Sequence, residues 1–132
     1  MSGTNTDFTG TIAVKKYDTS PTRNVFLALQ EENAAVNATV SVTNYGGLLL
    51  SGSSTTASDV KIAGLAGDST GVVYATTIDA TTNQIGNTDA ALTQNGTIAR
   101  TLIFAGSDTY VYAGTIGSAT NQTSLNLTKS GT

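Results

Sequence analysis

The chain has 132 residues, a formal net charge of −3, and no Cys, His or Trp. That length suits one domain, and the missing residue types exclude a disulfide framework, a thiolate nucleophile, the usual zinc ligands and the commonest general base. Charged residues are 11% of the chain, against ~25% in an average soluble domain, so neutral polar groups, led by 25 Thr, must wet the surface.

The N-terminal MSGTNTDFTG has neither a positive start nor an apolar stretch, so it does not read as a secretory signal, and synthesis in the cytoplasm is expected. Residues 1–7, small and polar, are expected to form a flexible arm ahead of a single β-domain at 8–132. The first strand, GTIAVKKY, runs into Lys15 and Lys16, which with Arg23 make the only local excess of positive charge. With an acidic overall balance and only Tyr17 as a nearby aromatic, this points to a solvated loop or a contact with an acidic protein surface, and away from nucleic acid. DTSPTR, holding Pro21, the only proline, is a break, and NVFLALQ is the next strand. In Ala35–Asn44, Val36, Ala38, Val40 and Val42 share one face while Asn37, Thr39, Ser41 and Thr43 share the other, as in a strand with one buried side. NYGG then turns the chain into GGLLLSG. There Leu48, Leu49 and Leu50 alternate, so at least one faces away from the core and implies an interface or a second layer. No apolar run approaches the ~18–20 residues of a membrane helix.

Two later stretches are alike. Ala66–Gln84 (AGDSTGVVYATTIDATTNQ) and Ala105–Gln122 (AGSDTYVYAGTIGSATNQ) align with one gap and 11 identities in 18 pairs, among them Tyr74 with Tyr112 and Ile78 with Ile116. DVKIAGLAG precedes the first copy and TIARTLIFAG the second, so each copy reads as the turn and second strand of a β-hairpin. On that reading Tyr74 and Tyr112 occupy equivalent inward positions. Arg100 shares a strand face with Leu102 and Phe104, so either its head escapes at the strand end or that face is an interface. A stretch over Asn87–Gln94 could form one helical turn, and TSLNLT is the last strand.

About nine short strands at ~8–12-residue spacing imply an all-β fold, an antiparallel β-sandwich or barrel of jelly-roll or immunoglobulin-like type containing two related β-hairpins. Asp79, Asn83, Asn87 and Asp89 could gather around calcium, but Asp and Asn spread among turns are explained by local hydrogen bonding, so no metal and no cofactor are expected. Four Asn-x-Ser/Thr sequences, starting at Asn37, Asn95, Asn121 and Asn126, follow from a Thr/Asn-rich chain. Catalytic carboxylate pairs need a substrate cleft, and no aromatic cluster marks a sugar platform, so an enzyme is not expected.

A small β-protein that is rich in Thr, Ser, Asn and Gly, free of Cys and without a signal resembles the virion structural proteins of tailed bacteriophages, in particular capsid decoration or cement proteins. The resemblance covers the whole chain in composition and strand pattern, with no diagnostic motif. It implies a non-enzymatic protein located in the virion, present in many copies, that binds and stabilises the major capsid shell as a homo-oligomer, with no membrane partner. Lys15, Lys16, Arg23, Leu48, Leu49, Leu50 and Arg100 are then the candidate interface. The alternative is a carbohydrate-binding or adhesin-like β-sandwich module, including a phage tail or fibre component.

Overall fold

The computed structural model describes residues 3–18, 20–21, 25–50, 59–75, 100–117 and 125–132. Nine strands lie within them: β1 (Thr11–Lys15), β2 (Val25–Leu29), β3 (Ala35–Thr43), β4 (Gly46–Leu50), β5 (Asp59–Gly67), β6 (Val72–Ala75), β7 (Arg100–Phe104), β8 (Thr115–Ile116) and β9 (Leu125–Lys129). Odd-numbered strands form one sheet in the order β1-β3-β5-β7-β9, and even-numbered strands form a second in the order β2-β4-β6-β8. Every pairing is parallel. The chain therefore coils as a parallel β-solenoid, its successive strands alternating between the two sheets.

This corrects the expected fold. An antiparallel sandwich or barrel, whether jelly-roll or immunoglobulin-like, needs successive strands to pair or to return antiparallel, and here each strand pairs with the one two places along. The two related hairpins are absent as well. Asp68–Gly71 does turn the chain, but it carries β5 of the first sheet into β6 of the second. The described parts of the aligned copies are not structurally equivalent either, and Ile78 lies outside the described residues. The ladder sets Val72 beside Thr115, Val73 beside Ile116 and Gly67 beside Tyr112. Alternation of apolar and polar residues reports that one face of a strand is buried, and it is the same for parallel and antiparallel neighbours. The turn signals are shared too. Asn44 and Tyr45, between β3 and β4, both have positive φ, 45° and 60°, as the two central residues of a tight hairpin turn would. Here they bend the chain from one sheet to the other.

The core fills the space between the sheets in rows that run along the stack. Ile12, Val40 and Leu65 form one row, and Val14, Val42, Gly67 and Tyr112 another. Val60, Leu102 and Leu127 form a third. From the second sheet, Leu27, Leu48, Val73 and Ile116 line up, as do Leu29, Leu50 and Ala75. Val40, Val42, Val60, Ile62, Leu102, Leu29, Leu48, Leu50 and Val73 are completely buried. Each full burial of such a side chain contributes about 1.5–3 kcal/mol. The spacing of these rows is irregular: Val40 to Leu65 spans 25 residues, Val60 to Leu102 spans 42, and Leu102 to Leu127 spans 25.

One line of corners is stitched from turn to turn. The Asn44 amide Nδ2 donates to the carbonyls of Lys16 and Asp18, and the Lys16 N–H donates to the Asn44 carbonyl. On the next turn Asp68 Oδ2 accepts from the Asn44 N–H at 3.1 Å, and Thr70 Oγ1 accepts from the Tyr45 N–H at 2.9 Å. These bonds satisfy backbone groups that the bend removes from the strand ladders, and they hold two residues at left-handed φ. At the amino-terminal end, the Asn5 N–H donates to the Asn33 carbonyl and Asn37 Nδ2 donates to the Thr6 carbonyl, laying residues 5–10 against the start of β3.

Candidate functional site

The residues singled out from the sequence do not form one surface. Lys15 is exposed at the end of β1, but Lys16 is buried at 6% exposure, its Nζ 2.9 Å from Asp18 Oδ1 and 3.2 Å from the Ser20 carbonyl. That ammonium, with the Ser20 N–H, holds the Asp18 carboxyl below its ordinary pKa. Leu48 and Leu50 belong to the core, while Leu49, pointing to the other face of the second sheet, is equally buried. On that face the Phe26 ring lies over Gly47 beside Val72. Arg100 is completely buried at the start of β7, in line with Leu102, and it has interaction partners there. Burial pushes its pKa down from the ordinary value, and a guanidinium retains its charge at neutral pH nonetheless. Arg23, the carboxylates and amides at Asp79, Asn83, Asn87 and Asp89, and the stretch Asn87–Gln94 lie outside the described residues. Among the described residues no group of three or more His, Cys, Asp or Glu could hold a metal, and no helix is long and apolar enough to cross a membrane.

What the structure does bring together lies at the carboxy-terminal end of the stack. After Phe104 the Ala105 and Gly106 N–H groups continue the ladder to the Ile62 and Ala63 carbonyls. The chain then leaves the sheet at Ser107–Thr109 and rejoins it where the Gly67 N–H donates to Val111 and the Ala113 N–H donates to Gly67. Between these points the Tyr110 ring folds over Gly64, occupying the space a side chain there would need. Thr39 Oγ1 donates to the Tyr110 hydroxyl at 3.0 Å, and that hydroxyl donates to Asp108 Oδ2 at 3.3 Å. Lys129 Nζ, at the end of β9, donates to the Gly106 and Gly131 carbonyls at 2.6 and 2.8 Å. The result is an open cleft of ≈ 530 Å³ lined by Phe104, Ser107, Asp108, Thr109, Tyr110 and Lys129 together with the last two residues. It offers two rings, four hydroxyls, a carboxylate and an ammonium.

Beside the cleft lie the edges of both sheets. β9 extends the first sheet, whereas the second sheet ends at β8 among the described residues. The core rows consequently run out into solvent: Leu127, which continues the Val60–Leu102 row, is 50% exposed, and Ile116, which continues the Leu48–Val73 row, is 37% exposed. At the opposite end Val14 and Leu29 are 5% and 0% exposed, while Ile12, Val25 and Leu27 are half-buried. Comparison with protein-family models, with curated proteins and with solved structures returns no match. This exposure was invisible in the sequence. TSLNLT reads as an ordinary half-buried strand, and nothing within it says that Leu127 is exposed.

Proposed function

We propose that this chain is a non-enzymatic structural component of a virus particle, a decoration or cement protein that binds and stabilises the capsid shell. The observation that carries the reading is an exposed apolar edge, where Leu127 and Ile116 stand partly in water although their row neighbours Leu102 and Val73 are completely buried. Such an edge calls for a cover, because each turn of a solenoid buries its apolar residues only against its neighbours. Composition supports the same reading. Charged residues make up 11% of the chain and the net charge is −3, so long-range repulsion between closely packed copies is small. The partners on this reading are the major capsid protein and further copies of the chain. Mass spectrometry of purified particles of the source virus is expected to find the chain in many copies per particle, and particles stripped of it are expected to lose their contents at lower temperature. Purified particles containing none of it would overturn the reading.

A second reading, an adhesin-like carbohydrate-binding module, is favoured by the cleft alone. Asp108, Ser107, Thr109 and Lys129 supply hydrogen-bonding groups beside the Phe104 and Tyr110 rings, the combination that binds polyhydroxylated ligands in a concave site. Titration with a panel of oligosaccharides, monitored by amide chemical shifts, tests it: shifts confined to Ser107–Tyr110 and lost in Asp108→Asn favour it over the first reading.

A further inference from the structure

We propose that the cleft takes an uncharged sugar through two adjacent hydroxyls on Asp108, and that Thr39, which lies outside the cleft, positions Asp108 for it through the Tyr110 hydroxyl. This rests on the carbohydrate reading above and names its ligand class. The site is an insertion in the solenoid. Ile62 pairs with Phe104 and Gly67 bridges to Tyr112, so three more residues lie between Phe104 and Tyr112 than between their ladder partners. Ser107, Asp108 and Thr109, all exposed, make up that excess, and insertions on one face of a stacked-repeat fold often form its binding face. The anchor of the insertion sits on interior strands of the first sheet: the Tyr110 ring lies over Gly64 of β5, and its hydroxyl accepts from Thr39 of β3.

Charge decides the ligand class. Asp108 and Lys129 line the same cleft, yet neither has an oppositely charged partner among the described residues, where Lys16 pairs with Asp18 and Lys61 with Glu32. Lys129 directs two of its three N–H groups to the Gly106 and Gly131 carbonyls and keeps one. Asp108 accepts on Oδ2 from the Tyr110 hydroxyl, which leaves Oδ1 and a second lone pair of Oδ2 to accept from a ligand. One carboxylate and one ammonium cancel at a distance, so the cleft draws in neither anions nor cations. A sugar hydroxyl both donates and accepts. Two neighbouring hydroxyls therefore satisfy the carboxylate, another sugar oxygen takes the remaining N–H of Lys129, and the apolar face of the sugar covers the Phe104 and Tyr110 rings. Thr39 donates into the Tyr110 hydroxyl, which both fixes that hydroxyl and strengthens its own donation to Asp108.

The probes are neutral malto-, cello- and manno-oligosaccharides, oligogalacturonate, chitosan oligomers and free phenylalanine, each titrated into the full chain while amide chemical shifts are followed. A neutral oligosaccharide is expected to bind most tightly and to shift Ser107–Tyr110. Asp108→Asn should weaken its binding about 10–100-fold, the effect of losing a hydrogen bond to a charged group, and Thr39→Val about 2–10-fold. In the Asp108→Asn background Thr39→Val should add no further loss, and Thr39→Ser should keep the wild-type affinity; a role limited to holding the fold would weaken both backgrounds equally. Equal losses in the two backgrounds, or tighter binding of oligogalacturonate or chitosan oligomers than of every neutral sugar, would overturn the proposal and leave the carbohydrate reading in place. Binding of phenylalanine alone, or of none of the probes, would overturn that reading as well.

Discussion

Asn44 and Tyr45 carry a disproportionate share of one corner. Asn tolerates the left-handed region better than other non-glycine residues, and its short amide reaches neighbouring backbone carbonyls. Here it bonds Lys16 and Asp18 on the turn before, while Asp68 takes its N–H on the turn after. Asn44→Ala loses the amide and makes the bend strained, so a loss of about 1–3 kcal/mol is expected in chemical denaturation. Asn44→Gly keeps the bend relaxed and loses only the amide, and its loss should be smaller; equal losses would show that backbone strain contributes nothing. Asp68 responds to pH. The Thr70 hydroxyl, then the N–H groups of Asn44, Thr70 and Gly71, hold its carboxyl below the ordinary value. A lowered folded-state pKa gives stability that is present above the unfolded value, near 4, and lost as pH falls through the folded value. The melting temperature of the wild type should therefore drop below about pH 4 more steeply than that of Asp68→Asn.

The segment between β7 and β8 shows how an element can be shaped by a residue far away in the chain. Tyr110 lies flat on the sheet because Gly64 of β5 has no side chain, and Thr39 of β3 fixes its hydroxyl. Gly64→Ala must push the ring aside, with an expected loss of about 1–3 kcal/mol. The amide resonances of Ser107–Tyr110 should shift with it, and shifts confined to β5 would show that the loop is held some other way. Tyr112 makes a related contact, its ring set against Gly67, Gly71 and Gly114 at the edge of the core. Tyr74 occupies no equivalent place: it neighbours Leu49 on the second sheet, on the face opposite the inward Val73. Tyr112→Ala should cost about 2–3 kcal/mol, less than the 3–5 of a fully buried aromatic, because its ring is half-buried.

Over the whole molecule, stability should be graded along the stack. In a solenoid each turn contacts only its neighbours, so interior turns have two supports and terminal turns one. β3 and β5 sit mid-sheet between strands on both sides, whereas β9 has one neighbour and β8 pairs over only two residues. Native-state hydrogen exchange is expected to be slowest for amides of β3, β4 and β5 and fastest for β8 and β9. Uniform protection across all nine strands would contradict the graded picture.

Nine strand segments could be read from the chain alone, because alternation and turn residues are local consequences of β geometry, but the inward face of β6 is the one holding Val73, not the Val72–Tyr74 face expected. Ala38, Val40 and Val42 point inward as their pattern requires, and Asp68–Gly71 turns the chain where its Asp and Gly demand. Pairing could not be read in the same way. A strand's own residues carry no label for the direction of its neighbour, and the 25- and 42-residue steps between stacked positions hide the repeat that would have announced a solenoid. The 11 matches between Ala66–Gln84 and Ala105–Gln122 pointed instead to an equivalence that the ladder does not respect. Burial of Lys16, Leu49 and Arg100, and exposure of Leu127 and Ile116, were likewise decided only by the tertiary structure. Whether a side chain at a given strand position meets protein or water depends on which turn lies above it, and that is a property of the stack.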